Sequence, residues 1–326
     1  MIYLYSGSDP IRFKRFISLI LLQPVGIGGT WILLKYFEKF KSFPELIQTF
    51  CWTWDSTRRE IFDEIQREYK FIPLKMKIFL VISLLCTPVY LFYFEYTYEL
   101  VLDTAKNKCG RAGVVLCILY YLVIIEEAYA AACIVLVGMY VSVHIKFQLR
   151  LLADYVETII NTGNNGNYEE FNQGLIYQKL KVCVEQHIRI KQLGESLFSI
   201  EWSVVTFALG GVAHHAGMIW LTIMEHKIFP IIMLIIGTLV GFAYGFTLFH
   251  YGQNIKNEST NFYNKVCSCQ WNEFSKENRM ALQMIMINSA EAMSLSSFGL
   301  VELDYVLATR VYRTVYTFVT LLMNLK

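Results

Sequence analysis

The chain has 326 residues, of which 55% are hydrophobic, 15% aromatic and only 17% charged. A soluble domain carries about 25% charged residues, so this composition points to a multi-span membrane protein. The formal net charge is +2 and there is no basic block, so nucleic acid is excluded as a partner.

The eight cysteines are scattered. Cys86, Cys117 and Cys133 lie in apolar runs, and Cys51, Cys109, Cys183, Cys267 and Cys269 in charged ones. That is no disulfide framework. Cys267-Ser-Cys269 has no matching Cys or His pair nearby, so no metal site is expected. Phosphate-cradling loops and catalytic-triad orders are missing too, so the sequence predicts neither an enzyme nor a cofactor.

In chain order, the first apolar run is Phe16 to Leu34, after Arg12, Lys14 and Arg15. It is longer than a signal-peptide core and is followed by Lys35, so it reads as a membrane span. Lys35 to Lys77 mixes charge with Phe50, Trp52, Trp54, Ile61, Ile65 and Phe71, which predicts amphipathic helix. Span two is Ile78 to Phe94, with Pro88 as a kink and an interfacial tyrosine cluster at its far end. A short polar loop, Glu95 to Arg111, precedes span three, Ala112 to Val143. Glu126 and Glu127 lie mid-span, where a carboxylate is expensive. Neighbours on a helix point about 100° apart, so at most one of them faces a given cavity. Two readings stand: a ligand-pocket or gating acid, and a structural Glu facing the bundle.

His144 to Gly194 is the longest polar segment, broken by the Gly/Asn-rich Asn161 to Asn167. Tyr177 to Phe198 is a charged periodic helix that feeds span four, Ile200 to Met224. His214-His215 reads as an interhelical hydrogen-bonding pair. After the Glu225-His226-Lys227 turn comes span five, Ile228 to Phe249, with Gly237, Gly241 and Gly245 on one small-residue face. Tyr251 to Arg279 is polar again.

The last stretch opens with Met280 to Ile287, breaks at Asn288 to Gly299, and ends in a helical run from Leu303 to Leu325. Arg313, Thr317, Thr320 and Asn324 recur at i, i+4, i+7 and i+11, which stacks them on one helix face. Such a stripe is a helix-packing face built on threonines or the wall of an aqueous pore. The basic segments Lys35–Lys77, Lys146–Lys191 and Lys256–Arg279 alternate with the other connections, which places them in the cytoplasm and the C-terminus outside.

The residues from Gly252 to Lys326 resemble the C-terminal signature of insect odorant receptors. The matching features are Gly252, Glu258-Ser259, Tyr263, Trp271, the break from Ser294 to Gly299, and Val311 to Leu322. Trp54-Asp55, Glu185-Gln186-His187 and Glu195 to Phe198 match upstream. The resemblance implies an all-α polytopic membrane bundle of seven spans, of which six are counted here without the first. It implies a ligand-binding bundle over 1–249, with cytoplasmic loops 35–77 and 144–199, and an anchor segment with a pore helix over 250–326. It also implies a subunit of an odorant-gated, non-selective cation channel in the plasma membrane of olfactory neurons. The implied partners are a co-receptor subunit in a heterotetramer, a small hydrophobic odorant and membrane lipid. The implied pocket is lined by Leu22, Ile27, Pro88, Tyr90, Phe94, Leu119, Tyr120, Met233 and Ile236. The implied pore is lined by Arg313, Thr317, Thr320, Leu321, Asn324 and Leu325. Alternatives are a gustatory-type channel for soluble tastants and a G-protein-coupled receptor; Tyr316 to Leu322 lacks the gustatory Gln-Phe ending.

The topology is testable with sugars. Asn257-Glu258-Ser259 is a glycosylation sequon on the side assigned to the cytoplasm. It should stay bare in cells, while a sequon appended after Lys326 should be modified. A glycan at Asn257 would invert the assignment.

Overall fold

The computed structural model describes residues 23–52, 58–162, 173–198, 215–219, 222–223, 228–269, 271–297 and 301–324. The residues before Gln23, Trp54-Asp55, Gly163 to Asn167 of the Gly/Asn-rich stretch, most of span four and the 225–227 turn lie outside the described residues. Among the described residues the fold is carried by helices α1 (Gln23–Phe50), α2 (Arg59–Thr162), α3 (Gln173–Phe198), α4 (Ile228–Cys267), α5 (Lys276–Ser289) and α6 (Tyr305–Asn324). A 3-10 turn, Trp271–Glu273, precedes α5. Before α6, the two-residue strands β1 (Ser296–Ser297) and β2 (Val301–Glu302) pair antiparallel. The architecture is an all-α helical membrane bundle.

Helix α2 has 104 residues and leaves helical geometry at Gly110 (φ 50°, ψ −124°). A positive φ is costless for glycine and strained for other residues, so Gly110 is where the helix folds back on itself. A Cβ on Gly113 would sit 2.1 Å from the Ala105 carbonyl oxygen, so the two arms meet tightly. Lower down, Glu68 of the first arm takes ion pairs from Lys146 and Arg150 of the second, which shows the arms to be antiparallel. This corrects the expected polar loop from Glu95 to Arg111. The chain there is helical up to the fold-back, because Glu95 to Cys109 contains neither glycine nor proline to end it.

Burial runs opposite to hydropathy. Among the described residues, Cys109–Ile159 and Ile231–Cys267 are long and apolar enough to cross a membrane, yet only 25% and 11% of their most apolar stretches are buried. Val114, Leu116, Leu119, Leu122 and Val123 stand exposed along one arm, as Ile231, Ile235, Leu239 and Phe242 do along α4. Lipid is the solvent for such surfaces.

The protein core lies instead in the charged segments. In α2 it takes Val141, Ile145, Leu149, Leu152, Val156 and Ile159, a 3–4 residue repeat down one face. Ile176, Leu180, Cys183, Ile190 and Leu193 of α3 meet them. So do Ile255, Phe262 and Val266 of α4, Leu282 and Ile285 of α5, and Phe43 and Ile47 of α1. The stretch after His144 read as a polar segment because its charges fall between these positions; its helix runs unbroken to Thr162. Likewise α4 continues through the polar residues after Tyr251 to Cys267. Each fully buried Leu or Ile contributes roughly 1.5–3 kcal/mol, so this anchor carries most of the water-driven cohesion.

Polar groups thread the anchor. Gln148 accepts from the Trp52 amide (2.8 Å) and donates to the Trp52 carbonyl (3.1 Å), while Gln186 donates to the Phe50 carbonyl (2.9 Å). These bonds satisfy backbone groups freed where α1 ends. Arg58 pairs with Asp154 and Glu157, and Lys265 with Glu157. His187 is only 4% exposed, and its ring lies tilted against Phe262 with centroids 5.2 Å apart. Burial, helped by Lys191, pushes its pKa down to about 4.

His187 makes the anchor acid-sensitive in a defined window. An unfolded histidine titrates near 6.5, so the unfolded chain takes up a proton that the folded site refuses. The stability contributed is intact above about pH 6.5 and is lost as pH falls toward 4. Detergent-solubilised protein should unfold at progressively lower temperature from pH 6.5 to 5, and His187→Leu should flatten that slope. An unaltered slope in the variant would remove His187 from the explanation.

Candidate functional site at the junction of α4 and α6

Helix α6 starts from a rigid base. Asp304 caps it: its carboxylate accepts from the Leu307 amide at 2.9 Å and its carbonyl from the Ala308 amide at 3.0 Å. Lys256 of α4 bridges Asp304 (3.0 Å) and Glu302 (2.5 Å). Burial works against the ionised Asp304, but the Leu307 amide and Lys256 outweigh it and hold the carboxyl below its ordinary range. The Leu303 amide donates to the Leu295 carbonyl at 2.6 Å, and the buried Ser259 hydroxyl accepts from the Met293 amide at 2.9 Å. A Cβ on Gly252 would lie 1.8 Å from the Leu303 carbonyl oxygen, so only glycine lets α4 and this loop touch.

One turn on, Gln253 accepts from the Tyr305 amide (3.2 Å) and His250 shares a hydrogen bond with the Tyr305 hydroxyl (2.7 Å). The Tyr312 ring lies 5.0 Å from Phe242. Helix α6 thus packs on α4 through Tyr305 and Tyr312, with Ala308 buried between them. Away from that face it carries Arg310, Arg313, Thr314, Thr317, Thr320 and Leu321, all exposed. The hydroxyls of Thr314, Thr317 and Thr320 each donate to the carbonyl four residues back at 2.9 Å. Their polar demand is met within the helix while the oxygen lone pairs stay available.

The predicted stripe therefore lies off the α4-packing face: Arg313, Thr317, Thr320 and the adjacent Leu321 are open within the chain. Asn324 ends α6, its side chain outside the described residues, as is Leu325 altogether. Of the predicted pocket residues, Met233 and Ile236 are half-buried one turn apart on α4, and Leu119 is exposed on α2. Ile27 falls on α1, and Pro88, Tyr90, Phe94 and Tyr120 on α2, with their side chains outside the description; Leu22 lies outside it entirely. Helix α2 packs on both α1 and α4, so the helices bearing these positions adjoin. Thr30 of α1 donates to Glu126 of α2 at 3.0 Å, giving one of the two mid-span carboxylates a partner. Tyr244 of α4 donates to Ser83 of α2 at 2.8 Å. The His215 ring comes so near Gly241 that a Cβ there would stand 2.9 Å from it, a close approach of the kind the glycine face predicts.

Sequence reasoning missed His250, Gln253, Lys256, Asp304 and Tyr305 as a group. A signal was present: Phe242, Phe246, His250 and Gln253 recur every three to four residues, joining the aromatic end of α4 to its polar end.

Apolar helices that expose their apolar faces, converging on a packed polar anchor, define a polytopic membrane protein. The family model described as 7tm Odorant receptor matches residues 30–316, so the chain belongs to the 7tm odorant receptor family. That is a family of multi-pass membrane receptors and not of enzymes, and the match does not favour the gustatory-type or G-protein-coupled alternatives. The fold is similar to that of the insect olfactory receptor OR5 from Machilis hrabei, with a TM-score of 0.70 at 13% identity over 94% of this chain and 80% of that one. It is equally similar to the same receptor in complex with eugenol, with a TM-score of 0.71 at 12% identity over 98% of this chain and 83% of that one. No curated protein matches significantly.

The Gly252 contact gives a direct test. Gly252→Ala forces backbone apart at the base of α6, at a cost of about 1–3 kcal/mol. The variant should show a lower unfolding temperature in detergent, whereas Asn257→Ala, at an exposed position five residues on, should not.

Proposed function

We propose that the chain is the odorant-binding subunit of a heteromeric, odorant-gated, non-selective cation channel, assembled with a co-receptor subunit in the plasma membrane. The family assignment supports the receptor role. The single observation that favours conduction is the outer face of α6, where Arg313, Thr317 and Thr320 stand open beside Leu321 while the other face is held on α4. A polar helix face left open in a lipid-embedded chain faces water or another subunit, because lipid would strand its arginines. In this reading residues 250–326 form the anchor segment and pore helix, with Asn324 and Leu325 completing the lining and the C-terminus outside the cell. Leu321 and Leu325 form the hydrophobic constriction, which closes by dewetting.

The ligand site in this reading lies in the 1–249 bundle, among Leu22, Ile27, Pro88, Tyr90, Phe94, Leu119, Tyr120, Met233 and Ile236. These are apolar and aromatic side chains with few polar groups, as small hydrophobic odorants require. Olfactory receptor OR5 was solved with eugenol, a small aromatic of that kind.

Co-expression with the odorant co-receptor, followed by current recording against an odorant panel, tests the reading. Leu321→Ser should raise ligand-independent current, since a polar ring keeps the closed pore wet. Thr320→Ala should change permeability ratios more than ligand sensitivity. If α6 is only a packing helix, Thr320→Ala lowers assembly instead and leaves permeability ratios alone. Unchanged leak and permeability in well-expressed variants would remove α6 from the pore.

A further inference from the structure

We propose that the hydrogen bond between His250 and Tyr305 is the positioning contact through which movement of α4 reaches α6; this rests on the channel reading above. Helix α4 is one unbroken helix from Ile228 to Cys267. It carries Met233 and Ile236 near one end and His250 fourteen residues beyond Ile236, a separation of about 21 Å along the axis. An unbroken helix delivers rotation or sliding at one end to the other without a hinge to absorb it.

Between those ends runs a ladder of rings. Phe242 stacks on Phe246 at 5.9 Å and 9°, and Phe246 on His250 at 5.9 Å and 12°. Tyr305 of α6 faces Phe246 at 6.4 Å and His250 at 6.3 Å, and Tyr312 faces Phe242. The contacts of Phe242 and Phe246 with Tyr305 and Tyr312 are ring on ring and set no fixed direction. Among the described residues, the ladder's directional bond to α6 is the 2.7 Å link between His250 Nδ1 and the Tyr305 hydroxyl.

The ring of His250 is held from behind. Asn254 lies 3.1 Å from its Nε2 with the amide nitrogen. With both ring nitrogens engaged, by Asn254 on one side and the Tyr305 hydroxyl on the other, the ring plane is fixed. Part of that restraint comes from α4 itself, through Asn254.

The contact is separable from the base of α6. Gly252 against Leu303, Lys256 with Asp304 and Glu302, and Gln253 with the Tyr305 amide all fix that base without the imidazole. Losing the His250 link therefore leaves α6 attached but lets it turn relative to α4. A merely structural residue would change the number of channels at the surface. A coupling residue changes the ligand concentration at which they open.

The test compares wild type, His250→Phe, Tyr305→Phe, the double variant and His250→Asn, each co-expressed with the odorant co-receptor. Asn places an amide where Nδ1 stood and keeps a donor. Currents are recorded against eugenol and a panel of volatile alcohols and esters, beside surface biotinylation. Half-maximal concentration does not depend on channel number, so the comparison survives lowered expression. His250→Phe and Tyr305→Phe should each raise the half-maximal concentration about three- to tenfold, the range of one net hydrogen bond. The double variant should be no worse than either single, and His250→Asn should recover most of the loss. Unchanged potency in both singles, or additive losses in the double, overturns the proposal while the channel reading stands. A wild type that reaches the surface and passes no current, spontaneous or evoked, overturns the channel reading and this proposal with it.

Discussion

Arg150 is the point on which the assembly of helices depends. Its guanidinium sits 15% exposed and meets Glu258 of α4 at 2.5 Å, Glu68 of the first α2 arm at 2.9 Å and Glu64 at 3.2 Å. One side chain thus ties both arms of α2 to α4 at the level where they enter the anchor. The strength of such a cluster lies in its completeness. Arg150 and Glu258, the mostly buried pair, recover their lost solvation through each other, while Glu64 and Glu68 keep contact with water. The fold-back at Gly110 brings the arms together at the far end, but the charge cluster sets how they line up. Glu258 sits between Lys256 and Ser259, which hold the chain leading into α6, so that alignment adjoins the α4–α6 junction.

Two solvents explain the inverted burial. In lipid, Leu and Val gain nothing by being covered, so α2 and α4 show apolar side chains outward along their upper parts. In water the same residue types drive collapse, so the segments richest in Lys and Glu hold the tightly packed core. Charge density along the chain therefore marks where the core is, which is the opposite of what it marks in a soluble domain.

This inversion decided what the sequence made legible. The all-α membrane class, the helix around Tyr177 to Phe198 and the final helix followed from composition and from short-range spacing, which a single chain carries fully. The helix from Glu95 to Cys109 is masked in the sequence by its polar residues, although it holds no glycine or proline to end it. The anchor core was obscured for a different reason. Ile145, Cys183, Phe262 and Ile285 are far apart in sequence, and only the packed fold puts them together. The α4–α6 junction shares that difficulty: His250 and Tyr305 are 55 residues apart, and neither is unusual where it stands. The stripe from Arg313 to Asn324 was legible as a stripe, but which side of α6 meets α4 depended on Phe242 and Tyr312 finding one another.

The unbroken length of α4 couples the protein to the thickness of its membrane. Forty helical residues extend about 60 Å, roughly twice the hydrocarbon depth of a bilayer, so the lower portion stands rigidly in water. A helix answers a thinner bilayer by tilting. Because no break separates the embedded part from the anchored part, that tilt swings the base of α6 as well. Lipids of different chain length thereby bear on the α4–α6 junction from a distance, along the length of one helix.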